Sequence, residues 1–103
     1  MGVIVSEWVR DFIYTLDPSV RSDVYKLIDM LAQYGSTLSM PYAKHLGGGL
    51  LELRRTGRPQ VRILYGFCKG SAILVHGVKK QQRALHNKDL TLARKRLEWY
   101  CAI

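Results

Sequence analysis

Five side chains in the second half of the chain have the types and spacing for phosphate chemistry: Arg54, Arg62, His76, Lys79 and Lys80. Arg54 and Arg62 each stand in a run that alternates apolar and polar residues, so each points away from the apolar face of a strand. On neighbouring antiparallel strands two such residues lie about 5 Å apart, close enough to share one phosphate. A guanidinium can hold two phosphate oxygens at once, which suits both arginines to a clamp. Lys79 and Lys80 end a further strand, where a basic side chain can reach over a sheet. His76 lies just before them, and its side chain has an ordinary pKa near neutrality, as acid–base work requires. The competing reading pairs Arg54 with Glu52 or Glu98, leaves both lysines in water and packs His76 in an apolar strand. Convergence of all five on one exposed sheet face is what would make them a phosphate site.

Other chemistries find less support. Gly47-Gly48-Gly49 lacks a following Lys-Ser/Thr and precedes a strand rather than a helix, so it reads as a flexible connection and not as a phosphate loop. Cys68 and Cys101 have no zinc-type spacing to His76 or His86, so no metal and no cofactor are expected. Two cysteines are too few for a disulfide scaffold and read as free thiols in a reducing cytosol. No serine lies in a nucleophile elbow.

The elements that must carry these residues follow from periodicity. Gly2–Val5 is a short apolar run that suits a strand. Ser6 can cap a helix whose apolar positions are Trp8, Val9, Phe12, Ile13 and Leu16. Asp17-Pro18 stops it and starts a second helix, with Val20, Val24, Leu27, Ile28 and Leu31 on one face and Gly35 at its end. Residues 36–49 read as loop. The period then changes to two. Leu51 and Leu53 oppose Glu52 and Arg54, while Val61, Ile63, Tyr65 and Phe67 oppose Arg62 and Leu64. Lys69-Gly70 marks a hairpin turn into a strand over 71–78 that is apolar at nearly every position, as an interior strand would be. Asn87 is placed to cap a last helix, with Leu90, Ala93, Leu97 and Tyr100 as its stripe. The fold class expected is α+β. Two N-terminal helices pack on one face of a small antiparallel sheet, a C-terminal helix lies at its side, and the other face carries Glu52, Arg54 and Arg62.

Length and charge bound the function. The 103 residues, 48% of them hydrophobic, suffice for a single domain over 1–103 and argue against disorder. No apolar run approaches the roughly 20 residues of a membrane span, and the N-terminus does not read as a signal peptide, so a cytoplasmic location is expected. Sixteen Lys and Arg face eight Asp and Glu, a net charge of +8. The excess is regional: three basic against five acidic residues up to Ala43, then thirteen against three from Lys44 onward. Such asymmetry points to a polyanion partner for the C-terminal part, nucleic acid before any other.

Four stretches together resemble one family. Lys44-His45-Leu46-Gly47-Gly48-Gly49-Leu50-Leu51-Glu52-Leu53-Arg54 is similar to the "K-x-L-x-x-G-L-x-E-L-R" stretch of phage-derived HigB-like toxins of the RelE/ParE superfamily. Val61-Arg62-Ile63-Leu64-Tyr65 resembles their "Y-R-I-x-Y" strand, and Leu74-Val75-His76-Gly77-Val78-Lys79-Lys80 their "L-L-H-G-F-x-K-K" strand end. Asp89-Leu90-Thr91-Leu92-Ala93-Arg94 resembles their closing helix. The resemblance implies the toxin of a type II toxin–antitoxin pair, a cytoplasmic endoribonuclease that cleaves mRNA on the ribosome without a metal and so inhibits translation. It also implies a cognate antitoxin, often of the helix-turn-helix type. In that chemistry Arg54 and Arg62 would clamp the phosphate, Lys79 or Lys80 would lie near the leaving oxygen, and His76 would carry the proton. Two alternatives stand beside it: a gyrase inhibitor of the ParE type, and a non-catalytic basic module that binds RNA by charge alone.

Overall fold

The computed structural model describes residues 1–80 and 85–102, together with the main chain but not the side chain of Lys80. Its elements in chain order are β1 (Gly2–Val5), α1 (Glu7–Tyr14), α2 (Pro18–Tyr34), β2 (Ala43–Gly47), β3 (Leu50–Arg55), β4 (Gln60–Cys68), β5 (Ser71–Lys80) and α3 (Asn87–Cys101). They form an α+β fold around one five-stranded sheet of order β1-β5-β4-β3-β2. β2 to β5 are antiparallel neighbours, and β1 closes the other edge parallel to β5.

Local chemistry fixes the helices where the sequence places them. Ser6 accepts the Val9 N–H at 3.3 Å and caps α1. Pro18 opens α2, and Gly35, at φ 56°, ends it. α3 departs slightly from expectation. Asn87 is its first helical residue, and His86 holds the cap position without a side-chain hydrogen bond. No helix among the described residues is long and apolar enough to cross a membrane.

Two cores share the sheet. On one face α1 and α2 bury Val9, Ile13, Val24 and Leu31 against Leu51, Leu53, Val61, Ile63 and Tyr65. On the opposite face Ala93, Leu90 and Leu97 of α3 pack on Leu50, Leu64, Ile73 and Val75. The C-terminal helix therefore covers part of the face expected to lie open. The near-continuous apolar run of β5 is the cause, since it supplies both cores.

Two more expectations change. The stretch read as loop contains β2, which pairs with β3 through a turn whose Gly47, Gly48 and Gly49 all have positive φ (91°, 61° and 80°). Three successive residues in that region exclude ordinary side chains, so the glycines build a tight hairpin end rather than a slack linker. The cysteines are also not free thiols. The structure joins Cys68 to Cys101, with Cα atoms 5.8 Å apart. They are 33 positions apart in sequence, and only the docking of α3 across the end of β4 brings them together.

Candidate functional site

The part of the sheet face beside α3 is built by the β3–β4 register. Arg54 stands directly opposite Arg62, and Arg62 in turn opposite Val78 of β5. The cross-strand pair of arginines expected from alternation is therefore present. Two like charges side by side need a counter-ion, and Glu52 provides it. Its Oε1 lies 3.5 Å from Arg54 Nε and 3.6 Å from Arg62 Nε. The reading that pairs Arg54 with Glu52 thus holds alongside the arginine pair.

The two guanidiniums differ in availability. Arg62 is only 4% exposed. Its Nη1 donates to the carbonyls of Arg55 and Val61 at 3.2 and 3.3 Å, and its Nη2 to Gln60 Oε1 at 3.1 Å. Burial lowers its pKa from the ordinary arginine value, an effect that Glu52 opposes and Arg54 reinforces. Arg54 keeps 19% of its side chain exposed, and its Nη1 donates to the thioether of Met40 at 2.9 Å. Thioether sulfur is a weak acceptor that a phosphate oxygen readily replaces. Arg54 is therefore the presenting cation and Arg62 the buried one behind it. Among the described residues Glu52 Oε2 is buried without a hydrogen-bond partner.

The remaining candidates do not all join this face. Lys79 opposes Val61, whose side chain belongs to the α1–α2 core, so alternation turns Lys79 to the other side of the sheet. Lys80 pairs with Gln60 through its main chain, and its side chain lies outside the described residues. His76 opposes Leu64 beside a bulge that inserts Val75 into β5. Bulges re-aim side chains, and this one sends both Val75 and His76 to the α3 side. There His76 Nε2 lies 2.9 Å from Asp89 Oδ1, and its Nδ1 lies 3.3 Å from Arg96 Nη1. That arrangement suits a neutral imidazole donating from Nε2 to Asp89 and accepting at Nδ1 from Arg96. Both ring nitrogens are engaged, and His76 anchors the start of α3 instead of facing the arginine pair. It lines a separate groove of about 370 Å³ between α1 and α3, where Arg96 stacks 4.5 Å above the Trp8 ring. Tyr65 is fully buried under the other core, as its alternation with Ile63 indicates.

Asp89 and Arg96 escaped the sequence reading. Their positions on α3 are visible, but the strand they reach is set by helix docking. Met40 and Gln60 were missed because neither residue type signals a site. A second cavity, of about 320 Å³, lies between α2 and the end of β3, with Arg54 in its wall.

Comparison with known proteins adds to this geometry. The sequence pattern of the family described as phage derived protein Gp49-like matches residues 11–98. Among solved structures, the free state of a mutant E. coli toxin RelE, carrying two arginine-to-alanine changes, is similar with a TM-score of 0.69. The match covers 93% of this chain and 96% of that one at 12% identity, and it shows a shared fold. No curated protein sequence matches.

Proposed function

Since this chain belongs to the phage-derived Gp49-like family, we propose that it is the toxin of a type II toxin–antitoxin pair, and that it cleaves mRNA on the ribosome. The observation that carries this reading is the Arg54–Arg62 pair, set in register on the sheet face beside α3 with Arg54 the more exposed of the two. Residues 1–103 are one RelE-like toxin domain of the cytoplasm in this proposal, close to the HigB-like members.

The reaction is internal transesterification of RNA. The ribose 2′ oxygen attacks the adjacent phosphorus, its proton passes to a base, and the 5′ oxygen leaves and takes a proton from water. A 2′,3′-cyclic phosphate and a 5′ hydroxyl result. Arg54 binds the non-bridging oxygens and neutralises the charge that builds on them. Glu52, itself paired with Arg62, holds Arg54 in place, so less orientation is lost on binding. The proton passes to water in this scheme, since His76 is tied to α3 and Glu52 is buried between the two arginines. A cognate antitoxin, of the helix-turn-helix type in the related systems, neutralises the toxin. The basic second half of the chain favours an acidic segment on that partner.

Toeprinting on translating ribosomes tests the reading. Wild type cuts mRNA, and Arg54→Ala cuts about 10²–10³ times more slowly while keeping its fold. Cleavage by Arg54→Ala at the wild-type rate removes the clamp. No cleavage at all, with inhibition in a gyrase supercoiling assay, turns the assignment to the ParE type. Copurification from the native operon checks the antitoxin.

A further inference from the structure

We propose that the cavity between α2 and the end of β3 binds one nucleobase of single-stranded RNA, next to the phosphate held at Arg54. The proposal deepens the ribonuclease reading and rests on it for the identity of the polymer. The cavity measures about 320 Å³, near the lower end of roughly 300–1,000 Å³ for small-molecule sites. It suits one base better than a longer stretch of strand. Leu27, Met30 and Pro41 give it an apolar floor, while Lys26 and Arg55 add cations to the wall. Asp23 in the same wall is paired with Arg55 Nε at 3.0 Å, so its charge is largely compensated. Tyr42 lines the cavity with 43% of its surface exposed, and an exposed ring beside cations is a platform on which bases stack.

The link to the phosphate site is covalent and short. Arg54 belongs to both places, since its guanidinium meets Glu52 on the sheet face while the residue itself lines the cavity at the end of β3. Its N–H donates to the Tyr42 carbonyl at 2.8 Å, so ring and guanidinium spring from neighbouring backbone positions. A phosphate that displaces the Met40 thioether from Arg54 therefore brings its own nucleotide to the mouth of the cavity. The base then selects which phosphate the arginines hold, which makes Tyr42 a specificity-determining residue.

The full-length protein, titrated with an RNA hexamer that is 2′-O-methylated throughout and so cannot be cut, provides the test. Fluorescence anisotropy is expected to show about tenfold weaker binding for Tyr42→Ala and near wild-type binding for Tyr42→Phe. An abasic ribose-phosphate hexamer is expected to bind wild type and Tyr42→Ala alike, because it offers charge without a base. Equal hexamer affinity of wild type and Tyr42→Ala overturns the proposal, as does no measurable binding by wild type, or a loss that the abasic strand shares. Cleavage on ribosomes separates the two readings. Wild-type cutting with unchanged sites and rate in Tyr42→Ala leaves the ribonuclease reading standing and sinks the base site. A base-dependent binding loss in a protein that cuts nothing does the reverse.

Discussion

Glu52 decides what each arginine can do. It is 5% exposed and shares one oxygen between two guanidiniums, so the three charges form a unit whose members are not interchangeable. Removing one partner from a buried ion pair typically costs about 3–5 kcal/mol, because the other charge is left uncompensated. Arg62→Ala is therefore expected to lower the urea midpoint strongly. Arg54→Ala removes the more exposed of the two cations and should shift that midpoint less while slowing cleavage. Equal midpoints for the two variants contradict this division of roles. Tyr65 makes a different prediction. Its hydroxyl is buried with no partner, and burial pushes its pKa from 10.0 up to about 12. Between those values the folded protein keeps the proton that the unfolded chain has lost. Its contribution to stability is thus complete below pH 10 and falls by about 1.4 kcal/mol per pH unit up to about 12. Tyr65→Phe should remove that alkaline slope in denaturation curves, and it loses no hydrogen bond in doing so. A slope retained in Tyr65→Phe assigns the effect elsewhere.

At the scale of elements, the seat of α3 depends on Gly66. A Cβ there would meet the Leu97 side chain, with the Gly49 carbonyl oxygen 3.0 Å away on the backbone. Gly66→Ala should therefore lift α3 and cost about 1–3 kcal/mol, as overpacking of a core does. Thermal unfolding measures it, and an unchanged melting temperature shows that Leu97 can turn aside. Sequence periodicity anticipated this level unevenly. The alternation in Leu51–Arg54 and Val61–Phe67 names both faces of β3 and β4 correctly, and the Ser6 cap and Lys69-Gly70 turn fall where their chemistry demands. β2 stayed hidden because an edge strand reading Ala-Lys-His-Leu-Gly is mostly exposed and carries no apolar alternation. How far α3 reaches onto the opposite face was less legible for another reason: Leu50, Leu64, Ile73 and Val75 already declare a second apolar face, but only their sum across three strands makes it visible. His76 and Lys79 lie three positions apart on β5, so alternation sends them to opposite sides of the sheet, His76 with Leu64 and Lys79 with Val61.

The whole molecule separates its charge as the chain does. Lys44, Arg58, Lys79, Lys88 and Lys95 are all exposed and all belong to the basic second half. Binding of a single strand releases about 0.7 counter-ion for each phosphate neutralised, so three contacts give a log–log salt slope of about −2. A flat salt response of hexamer binding rules out electrostatic capture. Chain order adds a constraint in time. β1 begins at Gly2, yet it pairs only with β5, whose matching residues are Ser71 to Leu74. At about 5–20 residues per second of synthesis, the first strand waits roughly 4–14 s for its partner. Until then the apolar sides of α1 and α2 lack much of the sheet that covers them. A nascent chain probed with protease should stay fully sensitive until β5 has emerged. The sheet is thus closed at this edge only after β5 has been made, however early β1 appears.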